Sequence, residues 1–103
     1  MISRIWHGRT RPESAAAYER LLRTEILPGI AARVPGYRGA HLLRREDGGE
    51  VEFVTVTWFD SLESVKAFAG PDYETAVVEP AARALLSSFD TRSRHYETLL
   101  TPG

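Results

Sequence analysis

Three imidazoles, at His7, His41 and His95, are the groups in this sequence best suited to exchange a proton near neutral pH, since an unperturbed histidine titrates at about 6.5. Their separations fit neither the HxH nor the HExxH spacing of a metal site, so no metal is expected. The sequence holds no cysteine, which removes thiolate ligation, iron–sulfur clusters, disulfides and a cysteine nucleophile together. No serine lies in a GxSxG elbow, and Ser87-Ser88 has no histidine near it in sequence. Neither GxGxxG nor GxxxxGK[ST] occurs, so no cradle for a nucleotide or flavin is visible and no cofactor is expected. Trp58, at the end of a strand, carries an indole suited to walling a cavity and stacking on a planar ligand. Phe68 and Tyr73 straddle Gly70-Pro71 and are expected at the mouth of that cavity. His95 and Tyr96 point to opposite faces of the last strand, so one reaches the ligand while the other meets a partner. Ordinary packing would also account for Trp58, Phe68 and Tyr73, and His41 reads as structural.

The elements that must position these groups follow from periodicity. Ile2 to Arg9 reads as a first strand, and Thr10-Arg11-Pro12-Glu13 as a capping box with proline in the first turn. Ala15, Tyr18, Leu21, Leu22 and Ile26 then fall on one helix face. Pro28 predicts a break, followed by a short helical turn from Ile30 to Arg33. Tyr37 to Arg45 and Glu50 to Phe59 form a hairpin around Glu46-Asp47-Gly48-Gly49, whose Asp-Gly supplies the positive φ of a tight turn. Asp60 reads as the N-cap of a second helix that Gly70-Pro71 stops. Tyr73 to Val78 and Ala81 to Leu86 read as two further helical pieces, and Phe89 to Leu100 as the closing strand.

The order is β-α-β-β-α-β, which right-handed crossovers convert into a ferredoxin-like α+β fold: an antiparallel sheet with helices on one face. Residues 1–100 make one domain, and 101–103 a loose C-terminal tail. The third strand places Phe53 and Phe59 on one face and Val54, Val56 and Trp58 on the other. With both faces apolar, a face left without helices and carrying the two phenylalanines would be a costly exposed patch, and a second copy packed sheet to sheet supplies its cover. At roughly 25 cal/mol per Å², a few hundred Å² per subunit gives several kcal/mol of gross association energy. The composition, 43% hydrophobic and 26% charged over 103 residues, is that of a globular protein. A net charge of −1 offers no basic field for a nucleic acid. No apolar run is long enough to span a membrane, and Arg4, Arg9 and Arg11 interrupt any signal-peptide core, so a cytoplasmic location is expected.

Pro35-Gly36-Tyr37-Arg38-Gly39-Ala40-His41-Leu42-Leu43-Arg44, the Glu52-to-Trp58 strand and the Asp60-to-Pro71 helix together resemble the antibiotic biosynthesis monooxygenase family. The resemblance extends to Arg4-Ile5-Trp6-His7-Gly8 and His95-Tyr96-Glu97, and implies a dimeric α+β barrel. One branch of that family degrades heme using an asparagine on the first strand, a tryptophan on the second helix and a histidine after it. Here those positions fall on Ile5 or His7, on Phe68, and on the stretch from Thr75 to Val77, so the chain departs at all three. A second branch oxidises polyphenolic intermediates to quinones without metal or flavin. The resemblance therefore implies cofactor-independent monooxygenation of a small aromatic or phenolic compound. His7, which shares a strand face with Ile5 on the side matching the family's pocket residue, is the expected catalytic base, with Trp58, Phe68, Tyr73 and His95 as ligand-binding residues. A non-catalytic binding or stress-related protein, and a heme binder using His7 or His95, are the alternatives.

Overall fold

The computed structural model describes residues 1–102 and contains the expected sheet, with its fourth position split in two. Strands β1 (Ile2–Thr10), β2 (Tyr37–Asp47), β3 (Glu50–Phe59) and β4 (Leu86–Phe89) lie in the order β2-β3-β1-β4, and β5 (Arg94–Glu97) pairs with the start of β1. All pairings are antiparallel. The helices are α1 (Pro12–Leu21), α2 (Leu27–Arg33), α3 (Leu62–Ala69) and the single turn α4 (Pro80–Arg83).

The β1–β3 register decides which residues face the helices. Gly8 stands opposite Phe53 and Ile2 opposite Phe59, so the even-numbered residues of β1 share a face with the odd-numbered residues of β3. Phe53 and Phe59, at 1% and 0% exposure, are the buried floor of the core. They are therefore not part of the uncovered face, which carries Val54, Val56 and Trp58 instead. The core falls into two clusters. One gathers Ala15, Tyr18, Leu22, Val51, Phe53 and Ala82, and the other Ile30, Val34, Phe59 and Val65.

Several local expectations are revised for identifiable reasons. Thr10 is the last residue of β1, fully buried opposite Val51, so its hydroxyl does not cap α1; the helix starts at Pro12, whose ring presets the helical φ. No break occurs at Pro28. A π-helical turn, Leu22–Ile26, joins α1 to α2, and the Leu27 amide reaches back five residues to the Leu22 carbonyl. Widening the turn just ahead of the proline moves aside the carbonyl its ring would strike. Ser61, not Asp60, caps α3 by accepting from the Ser64 amide, because both Asp60 carboxylate oxygens are engaged by Arg38 at 2.5 and 2.9 Å. In the β2–β3 hairpin the two turn residues are Gly48 and Gly49, at φ +60° and +85°, and Asp47 stays in the strand. Tyr73 to Val78 is not helical: Tyr73 and Glu74 form a turn closed by the Thr75 amide on the Asp72 carbonyl, and Ala76 donates to the Thr91 carbonyl and Ser93 to the Glu74 carbonyl, tying the segment to the link between β4 and β5. Of the helix expected from Ala81 to Leu86 only Ala81 to Arg83 forms, within the turn Pro80–Arg83, since Leu86 already belongs to β4. The expected closing strand from Phe89 to Leu100 is interrupted at Asp90 to Ser93, and its second half is β5.

Gly8 faces the helices where the Trp6 indole folds across it, and a Cβ there would lie 2.9 Å from the ring. Gly8→Ala is expected to lower stability by about 1–3 kcal/mol, read from the urea midpoint, because the indole, tied to the Asp90 carbonyl, must be displaced.

Candidate functional site

The inner face of β3 reads Phe53, Thr55, Thr57, Phe59, so two small polar side chains separate two large apolar ones. Opposite them on β1 stand Arg4 and Trp6. Neither threonine fills the space beneath the π-helical turn, and a cavity of about 70 Å³ remains between the two core clusters. Trp6, Tyr18, Leu22 and Phe68 form much of its wall, with Arg4 and Ser93 as polar members and Glu79 as its one carboxylate.

Arg4 is only 4% exposed and has no carboxylate within ion-pairing distance among the described residues. It donates from Nη1 to the Tyr73 carbonyl and to His95 Nε2 at 2.9 Å, and from Nη2 to the Thr75 carbonyl at 3.1 Å. Its guanidinium also lies 5.4 Å from the centre of the Phe68 ring. Burial without a counter-charge pulls the Arg4 pKa down to about 10. A guanidinium has no acceptor, so His95 Nε2 accepts and His95 is the neutral tautomer with its proton on Nδ1. That Nδ1 is buried without a partner, as is the Ser93 hydroxyl. Desolvation, reinforced by the Arg4 charge, lowers the His95 pKa. Burial likewise pushes the Tyr18 phenol up.

The expected site residues separate into three places. Phe68 lines the cavity. Tyr73 and His95 stand behind Arg4, through a backbone carbonyl and a ring nitrogen, with their rings 5.1 Å apart. His7 and Trp58 lie on the other side of the sheet. His7 is on the odd-numbered face of β1, 3.3 Å from the Asp90 carboxylate, and Trp58 packs edge-on against His41. The pocket-facing residues of β1 are therefore Arg4 and Trp6, one position out of phase with Ile5 and His7. Arg4, Trp6, Tyr18 and Ser93 were not singled out from the sequence. The signal that could have found the first two is the β3 pattern: pairing the side of Phe53 and Phe59 with β1 turns Arg4 and Trp6 inward.

With this geometry in view, the family model for antibiotic biosynthesis monooxygenase matches residues 1–80. The chain belongs to the antibiotic biosynthesis monooxygenase family. The match spans β1 to the start of α4, while Ala82 and Ser93 on the cavity wall lie beyond it. No curated protein matches the sequence. Among solved structures, the chain is similar to SnoaB, a cofactor-independent oxygenase from Streptomyces nogalater, with 20% identity, a TM-score of 0.63 and coverage of 97% of this chain and 95% of that one. It is also similar to MhuD, a heme-degrader from Mycobacterium tuberculosis with two hemes bound in its active site, at 23% identity, a TM-score of 0.58 and full coverage of both chains. A third, Rv0793 from Mycobacterium tuberculosis, shares 21% identity with a TM-score of 0.62 over 99% of this chain and 98% of that one. These likenesses establish the family's α+β fold for this sequence. No helix of the described residues is long and apolar enough to cross a membrane.

A depressed imidazole makes stability depend on pH in a defined direction. The unfolded chain binds a proton at His95 near pH 6.5 and the folded chain only at lower pH, so stability rises with pH through that window and falls on acidification. The urea midpoint is expected to drop between pH 7.5 and 5.5, about the ordinary histidine pKa, and His95→Gln is expected to flatten that part of the profile.

Proposed function

We propose that this chain is a cofactor-independent monooxygenase acting on small aromatic or phenolic compounds as a homodimer. The observation that carries the reading is the cavity between sheet and helices, in which three aromatic walls, Trp6, Tyr18 and Phe68, surround a polar end made by Arg4 and Ser93. A flat, apolar ring with one oxygen substituent matches that division. In such a reaction the substrate supplies the electrons: a CH₂ flanked by arenes becomes C=O, one atom of dioxygen enters the product, and the other leaves as water. At about 70 Å³ the cavity is smaller than an aromatic substrate, so a ring enters by outward movement of Val77 and Val78, which line the cavity and lie in no helix or strand.

A heme does not fit this donor set. No histidine lines the cavity, His95 Nε2 is taken by Arg4, and His7 is paired with Asp90 across the sheet. The second reading, a binding protein without turnover, draws on the same absence of an imidazole from the cavity.

Dimerisation rests on the uncovered sheet face. Val54, Val56 and Trp58 of β3 lie there beside Ile5 of β1, with Leu43 at 51% and Tyr96 at 49% exposure on the flanking strands. A contiguous apolar face of this kind is covered by the same face of a second copy about a two-fold axis. The ion pairs Arg9–Asp47 and Arg45–Glu52 at one end of the face form a polar rim.

Sedimentation of the purified protein at micromolar concentration is expected to give a dimer, and Val56→Asp a folded monomer. Oxygen uptake with anthrone-like and quinol compounds is expected for the native protein and lost in Phe68→Asp. His7→Ala, remote from the cavity, is expected to change the rate by less than about twofold. No uptake with any such compound, alongside saturable binding, would assign the chain to the binders.

A further inference from the structure

We infer that the cavity binds its ligand as an anion, with the ionised oxygen of a phenol, enol or carboxylate held between the Arg4 guanidinium and the Ser93 hydroxyl. The inference deepens the proposed oxygenase reading by naming the charge state of the bound compound, and rests on it for the aromatic part of the ligand only.

Arg4 carries an unbalanced charge. Arg4 is almost wholly withdrawn from water, yet it faces two neutral carbonyls and a neutral imidazole, with no carboxylate to compensate it. Buried cations are ordinarily paired, since desolvation of a lone ion is unfavourable by several kcal/mol even after relaxation. Three of the five N–H donors are used on Tyr73, Thr75 and His95, which leaves Nε–H and one Nη2–H. Arg4 lines the cavity, so that is where compensation can be added. Ser93 lines the same cavity, is 4% exposed, and its hydroxyl has no partner. The other charged group at the wall, Glu79, does not neutralise Arg4. It is partly exposed and lies 3.9 Å from Arg33.

Shape agrees with charge. A volume of about 70 Å³ is that of two or three water molecules, which is also that of a carboxylate head group or a single ring oxygen with its neighbours. The walls beyond Arg4 are aromatic, and the Phe68 ring already lies against the guanidinium. A planar anion stacked on that ring completes the arrangement, with its oxygen toward Arg4 and Ser93. The consequence for chemistry is direct: a site that prefers the anion lowers the pKa of a bound phenol or enol. The anion is the form that reduces dioxygen, so the cavity needs no strong base of its own.

The test uses 4-nitrophenol, whose anion absorbs visible light, and acetate against acetamide as competitors of matched shape and different charge. Bound 4-nitrophenol is expected to ionise at least one pH unit below the free compound, about a tenfold shift of its acid dissociation constant. Acetate is expected to displace it and acetamide not. Arg4→Gln is expected to abolish the shift. Ser93→Ala, which removes one hydroxyl and should keep the fold by circular dichroism, is expected to weaken acetate binding several-fold. An unchanged or raised pKa for the bound phenol, equal competition by acetate and acetamide, or no binding of either probe overturns the inference. Oxygen uptake with anthrone-like compounds is measured separately, so loss of turnover with anion binding intact tells against the oxygenase and not against the anion site.

Discussion

A guanidinium inside a small protein must be held by everything around it, and Arg4 organises this one. Its carbon chain enters the gap that Thr55 and Thr57 leave between Phe53 and Phe59. Its head then gathers two carbonyls from the segment after α3 and the ring of His95 from β5. Those bonds explain why Tyr73 to Val78 forms no helix although its residues suit one. A helix would turn the Tyr73 and Thr75 carbonyls along its own axis and leave the cation bare. Arg4 therefore joins three parts of the chain that are remote in sequence, and both the edge of the sheet and the wall of the cavity depend on it.

The cavity has a second cause in the helical layer. The π-helical turn Leu22–Ile26 lies above the same gap, and it is there because Pro28 follows it. Leu22 and Ile26, at the two ends of that turn, both border the space. One proline and two threonines, none of them reactive, thus create the void that the aromatic residues line. The cavity so made is lined by Arg4, Ser93 and Glu79 among its polar residues and by no histidine.

Much of the architecture was legible because it depends on periodicity and turn chemistry. The alternation in β3, the Gly48-Gly49 turn and the apolar face of α1 each carry a local physical signal, and together they specify an antiparallel sheet covered on one side. The site was less legible because it depends on parity. Reading β1 one residue out of phase turned His7 inward and Arg4 outward, and with period-two side chains that exchange reverses every assignment on the strand. Phe68 reaches the cavity whichever way β1 is read, because its orientation is set by its own helix and not by strand register.

By itself, then, the amino-acid order determined which segments form strands and helices and that one sheet face would be left apolar, since these follow from neighbours within a few positions of one another. Only the tertiary structure decided that Arg4, Phe68, His95 and Ser93 meet. They come from three separate segments, β1, α3 and the stretch from Ser93 into β5, and their meeting arises from strand register and from the need to solvate a buried charge. Neither has a local signature, because both are properties of the closed core and not of any stretch of chain that enters it.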